Sequence, residues 1–126
     1  MKVLTVIGAR PQFIKAGPVS KALGEAGIEE LLVHTGQHYD HGMSQVFFDE
    51  LSIPKPAVNL GVGSGSHAEQ TAGMLVGIER TIVEHRPDCL IIYGDTNSTV
   101  AGALAATKLH VRVAHVDSHL AALPMG

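Results

Sequence analysis

Val3-Leu4-Thr5-Val6-Ile7, followed at once by Gly8-Ala9-Arg10-Pro11-Gln12-Phe13-Ile14-Lys15, is the stretch that decides the fold. An almost wholly apolar run of this length reads as a strand buried on both faces, the kind found inside parallel sheets. Gly8 then lets the backbone turn sharply where a side chain would clash. Two cations, Arg10 and Lys15, thereby stand at the mouth of a strand and in the first turn of the next helix. Ligands of open α/β sheets bind beyond the carboxyl ends of the strands. There Arg10 can fork two donors onto phosphate or carboxylate oxygens, and Lys15 can add a point charge beside backbone N–H groups at the helix start. Taken alone, the same two residues also fit solvated loop cations.

The pattern of that first segment repeats along the chain. Strand-like runs at Lys2–Ile7, Glu30–Thr35, Asp88–Tyr93 and Arg112–Val116 alternate with helix-like segments. Such alternation predicts a doubly wound parallel α/β sheet wrapped by helices. Helices are expected over Gln12–Glu25, Ser44–Leu51, His67–His85 and Ser98–Leu109. Pro18 is expected to kink the first of these at its start or confine it to the later turns. The last, rich in alanine, is suited to a close approach to the sheet. Gly61-Val62-Gly63-Ser64-Gly65-Ser66 has neither the Gly-Lys-Ser ending of a P-loop nor a complete dinucleotide pattern, and reads as a loop before a helix.

Three further polar turns follow strands. Tyr93 leads into Gly94-Asp95-Thr96-Asn97-Ser98-Thr99, where Asp95 is placed to act as a general acid or base and Ser98 to cap the next helix. The bland alternative is that Asp95 and the hydroxyls only cap that helix. Val116 leads into Asp117-Ser118-His119, a second carboxylate. Parallel order brings these turns to one edge, so Arg10, Lys15, Asp95 and Asp117 can converge on an anionic substrate. The remaining turn, Gly36-Gln37-His38-Tyr39-Asp40-His41, lacks the i, i+4 spacing that puts two metal ligands on one helix face, and suits polar contacts to ligand hydroxyls or a neighbouring subunit. His67, His85 and His110 fall at helix ends and need no function.

Composition narrows the partners. The chain has 126 residues, enough for one domain with a real core, and its 45% hydrophobic and 17% charged residues mark it as globular. A formal charge of −3 provides no basic surplus for a nucleic-acid backbone. No apolar run approaches membrane-spanning length, and Gly8 and Arg10 come too early for a signal-peptide core, so a cytoplasmic protein is expected. The single cysteine, Cys89, has no partner for an intrachain disulfide and reads as a buried strand thiol.

Three sequence words, VIGARPQFIKAGPV, HTGQHYD and IIYGDTNSTVAGALAA, together resemble the non-hydrolysing UDP-N-acetylglucosamine 2-epimerases, from Met1 to about Val116. The resemblance implies the N-terminal Rossmann-like half of a GT-B-type two-domain fold, here residues 1–126 with the second half missing. It also implies inversion of C2 of a UDP-linked amino sugar by elimination of UDP to a glycal and re-addition, without a cofactor or a metal ion. Arg10 and Lys15 would then serve the nucleotide diphosphate and Asp95 the acid/base group, while Gln37 and His38 match a motif that touches a second UDP-sugar in some members. A homodimer working in cell-surface polysaccharide biosynthesis is implied as well. The Ala-Arg-Pro-Gln-Phe form of the first word also resembles the subgroup acting on diacetamido-uronic acid sugar nucleotides.

The chain departs from the family at its end. Members usually continue His-Val-Glu-Ala-Gly-Leu-Arg, whereas here His115-Val116-Asp117-Ser118-His119-Leu120-Ala121 puts an aspartate, one methylene shorter, in place of a glutamate. With one half of the cleft, and this substitution besides, the chain alone is expected to be nearly silent in catalysis. Two other readings share most of these residues: a stand-alone half domain that binds nucleotide or anions without turnover, and a flavodoxin-like interaction domain. The latter would be expected to carry an acidic cluster after its first strand, and this chain has cations there.

Overall fold

The computed structural model describes residues 1–8, 10–36, 56–63, 65–116 and 123–125, with residues 10 and 123–125 described by backbone alone. Among the described residues, six strands, β1 (Lys2–Ile7), β2 (Glu29–His34), β3 (Val58–Asn59), β4 (Cys89–Tyr93), β5 (Arg112–Val116) and β6 (Leu123–Met125), accompany three helices, α1 (Arg10–Glu25), α2 (His67–His85) and α3 (Asn97–Lys108). The strands form one sheet in the order β3-β2-β1-β4-β5-β6. Pairing is parallel from β3 to β5, and β6 runs antiparallel to β5.

The alternation of side chains along each strand divides the core into two layers. Val3, Ile7, Leu32, Ile91, Tyr93 and Val116 pack on one face with Phe13 and Ala16 of α1. Leu4, Val6, Val33, Leu90, Ile92 and Val113 pack on the other with Met74, Ile78 and Ile82 of α2 and Ala101, Ala105 and Ala106 of α3. Helices on both faces of a mostly parallel sheet are the doubly wound arrangement, and the fully buried alanines of α3 permit the close approach that its composition implied.

Four differences from the sequence expectations have physical causes. Strands β3 and β6, two and three residues long, are too short to carry a readable hydrophobic period. Helix α1 starts at Arg10 and continues without a break past Pro18, so it is not confined to the later turns. Pro18 is exposed, so the one hydrogen bond it forgoes lies on the solvent side. Ser98 does not cap α3; Thr96 is the N-cap, its hydroxyl and that of Thr99 bonding each other's backbone N–H in a reciprocal box. Cys89 is half-buried, where burial raises its thiol pKa. The helix expected over Ser44–Leu51 lies outside the described residues.

Candidate functional site

The strand order reverses between β1 and β4: from β1 the chain proceeds outward through β2 to β3, then returns to place β4 on the other side of β1. At such a switch point the connections leave in opposite directions and open a crevice at the carboxyl edge. Two of the turns singled out by sequence lie there. Arg10 is the first residue of α1 after β1, and Asp95 occupies the turn between β4 and α3.

A buried side chain joins the two turns. Gly8 donates its N–H to Gln12 Oε1 at 2.8 Å, and Gln12 Nε2 donates to the Tyr93 carbonyl at 2.8 Å and to Thr96 Oγ1 at 3.1 Å. Thr99 Oγ1 donates to the same Tyr93 carbonyl at 2.7 Å. From β5, His115 Nε2 lies 2.6 Å from the Gly94 carbonyl. The backbone on both sides of Asp95 is thus held by α1, α3 and β5. The Asp95 carboxylate itself is exposed to solvent.

Beneath the turns the packing is tight enough to select the residue types. A Cβ on Gly8 would fall 2.2 Å from Ser98 Oγ and 2.8 Å from Thr35 Oγ1, so only glycine lets β1 end there. Gly94 has φ +70°, a left-handed turn that aims the chain from β4 into α3. Helix α2 joins the same edge: Asn97 Nδ2 is 2.9 Å from His67 Nδ1 and donates to Gln70 Oε1 at 3.1 Å. His67 therefore has a structural task that its position at a helix end did not reveal.

Burial controls the two titratable groups set deepest against α1. His34 is pushed down by desolvation, and its Nδ1 accepts the Gly36 N–H at 2.8 Å, as the neutral ring requires. The Tyr93 phenol is pushed far up, first by burial and then by the Glu30 carboxylate.

Of the residues named from sequence, Arg10 and Asp95 fall on the two joined turns, and Lys15 is exposed on α1. Gln37, His38 and Asp117 lie outside the described residues, as do Asp40 and His41. Gln12 and His115 were missed as organisers of the site. Gln12 stood within the first quoted motif and His115 two residues before Asp117, but their partners are contributed by other parts of the chain. Among the described residues no cluster of three or more His, Cys, Asp or Glu could hold a metal, and no helix is long and apolar enough to cross a membrane. An apolar groove bordered by Ile82, Arg86, Leu109 and Val111 lies at the opposite, amino edge of the sheet, away from these polar groups.

Sheet order and helices on both faces define a Rossmann-like α/β domain, with two joined polar turns at the strand-order reversal. A family model described as UDP-N-acetylglucosamine 2-epimerase matches residues 21–120, and the chain belongs to that family. The UDP-N-acetylglucosamine 2-epimerase homolog of Methanococcus maripaludis is 55% identical over 120 residues, 95% of this chain and 33% of that protein. The UDP-2,3-diacetamido-2,3-dideoxy-D-glucuronate 2-epimerase of Pseudomonas aeruginosa is 53% identical over 126 residues, 99% of this chain and 36% of that protein. The crystal structure of Methanocaldococcus jannaschii UDP-GlcNAc 2-epimerase in complex with UDP-GlcNAc and UDP matches with a TM-score of 0.86 and 46% identity, over 92% of this chain and 32% of that one. The chain spans about a third of the length of these relatives and corresponds to their N-terminal portion.

Proposed function

We propose that residues 1–126 form the N-terminal Rossmann-like domain of a UDP-N-acetylglucosamine 2-epimerase of GT-B type, contributing one wall of its active-site cleft. The observation that carries this reading is the junction, through Gln12, of the Arg10-bearing and Asp95-bearing turns at the strand-order reversal. The similar M. jannaschii structure, which holds UDP-GlcNAc and UDP, supports the choice of ligand.

The C2 hydrogen of the sugar is not next to a carbonyl, so its direct removal would leave a bare carbanion. Elimination avoids this. A base takes the C2 proton, the C–H electron pair becomes the C1–C2 double bond, and the C1–O bond breaks with its electrons leaving on UDP. In the return step a UDP oxygen attacks C1 while an acid delivers a proton to the opposite face of C2. On this reading Asp95 and Asp117 belong to the acid/base group, and Arg10 and Lys15 neutralise the departing diphosphate. Gln37 and His38 contact a second UDP-sugar. The family resemblance further supports a cytoplasmic enzyme of cell-surface polysaccharide biosynthesis and a homodimer; the exposed Val76, Val83, Val100 and Leu104 on α2 and α3 offer apolar surface for the latter.

A second substrate has its own support. The P. aeruginosa diacetamido-glucuronate relative and the Ala9-Arg10-Pro11-Gln12-Phe13 form of the first turn both favour a UDP-diacetamido-uronic acid. On either reading the chain alone binds nucleotide with little or no turnover, because electrostatic stabilisation depends on a closed, preorganised cleft. Incubation of the purified chain with each UDP-sugar, following C2 inversion and UDP release by NMR beside calorimetric titration with UDP, tests this. Absence of UDP binding overturns the nucleotide-domain reading; turnover at an ordinary enzymatic rate, abolished by Asp95→Asn, overturns the one-wall argument.

A further inference from the structure

Gln12 is 5% exposed, and its amide bonds reach partners 81 and 84 residues away in sequence as well as Gly8 in its own turn. Both ends of the amide are needed. The oxygen accepts from the turn that precedes Arg10, and the nitrogen donates to both flanks of Asp95, at Tyr93 and Thr96. A carboxylate in its place keeps the first bond and loses the other two, placing negative charge against the Tyr93 carbonyl. An aliphatic side chain loses all three. The site on the far side is equally specific, since the Tyr93 carbonyl already accepts from Thr99 and its second lone pair is the one that Gln12 fills.

We propose that Gln12 is a positioning residue that sets the spacing between the Arg10 turn and the Asp95 turn, so that a disturbance of one turn is felt at the other. Its functional consequence rests on the nucleotide reading above; the coupling itself does not. Gln12 touches neither reacting atoms nor ligand on this account. It acts through the Gly8 N–H, the Tyr93 carbonyl and the Thr96 hydroxyl, in the segments that carry Arg10 and Asp95.

Two measurements on the full 126-residue chain decide the matter separately. The first needs no ligand. Hydrogen exchange of the Gly8 amide, whose acceptor is Gln12 Oε1, reports on the Arg10 turn, and Thr96→Val removes an acceptor of Gln12 in the Asp95 turn. Thr96→Val is expected to speed Gly8 exchange by about threefold or more, the scale of one net hydrogen bond, while Thr71→Val, whose hydroxyl donates to the His67 carbonyl within α2, leaves it unchanged. Unchanged Gly8 exchange in Thr96→Val overturns the coupling. The second is calorimetric titration with UDP. Gln12→Met is expected to weaken binding about fivefold or more, and Ile82→Val, a core change remote from both turns, to lower stability without altering affinity. Gln12→Glu should bind weakly at neutral pH and recover relative to wild type as acidification protonates Glu and restores a donor. Wild-type affinity in Gln12→Met, or a flat ratio of Gln12→Glu to wild type across pH, refutes the positioning role while leaving the nucleotide reading intact. If the wild-type chain fails to bind UDP, the nucleotide reading falls, and the exchange measurement still decides the coupling.

Discussion

Thr35 Oγ1 and Ser98 Oγ lie 2.9 Å apart beneath Gly8, joining the end of β2 to the first turn of α3 across the end of β1. Ser98 Oγ also lies 3.4 Å from Met74 Sδ of α2. Elements on three sides therefore meet where β1 has no side chain.

Gly8→Ala should consequently be costly. The new methyl meets two hydroxyl oxygens at less than contact distance, and overpacking of this kind costs about 1–3 kcal/mol. In the Ser98→Ala background the 2.2 Å clash disappears, so the penalty of Gly8→Ala should shrink. Denaturant unfolding of the two single variants and the double variant measures the coupling, and additive effects would contradict it.

Two helix C-termini carry removable strain. Arg86 (φ 47°) and His110 (φ 60°) adopt left-handed backbone at the ends of α2 and α3, a conformation that costs an L-residue about 1–2 kcal/mol. Glycine regains that cost less its larger loss of chain entropy, so Arg86→Gly and His110→Gly should each stabilise by about 0.5–1 kcal/mol in thermal unfolding. A lowered Tm in both variants would contradict the argument.

Stability should also fall at mildly acidic pH through His34. Its folded pKa is depressed by burial, so below about 6.5 the unfolded chain takes a proton that the folded ring refuses. The stabilisation is present above the unfolded value and is lost as pH falls toward the folded one. His34→Gln should flatten the acid limb of the stability profile, measured by denaturant midpoints between neutral and acidic buffers.

At the alkaline end Tyr93 acts with the opposite sign of pKa shift. Its raised folded value means that above about pH 10 the unfolded phenol loses its proton while the folded one keeps it, so stability declines as pH rises. The Tyr93 hydroxyl is buried and has no hydrogen-bond partner among the described residues. Tyr93→Phe should therefore cost less than about 1 kcal/mol at neutral pH and remove much of the alkaline loss. A large neutral-pH cost would mean that the hydroxyl is satisfied in solution.

For nucleotide binding, Arg10→Ala should weaken UDP affinity about tenfold or more, the scale of a charge-assisted contact, whereas Arg80→Ala, exposed in the middle of α2, should leave it unchanged. Equal effects in calorimetry would remove Arg10 from the diphosphate role.

Much of this molecule could be read from local pattern. The apolar runs of β1, β2, β4 and β5 and the helical spacing of Met74, Ile78 and Ile82 depend on neighbours in sequence, so the parallel α/β class and its four central strands were legible, as were the polar turns bearing Arg10 and Asp95. Burial on both faces leaves a strand little freedom to be anything else. The tertiary structure alone decided which turns are adjacent. Strand order placed β4 against β1, the Gln12 amide found acceptors more than eighty residues away, and Gly8 proved necessary because Ser98 and Thr35 crowd it. Short β3 and antiparallel β6 likewise exist only because longer strands provide an edge to pair with. Hydrogen bonds and close contacts between distant segments leave no period in the sequence, and it is these that make a site of residues the sequence could only name.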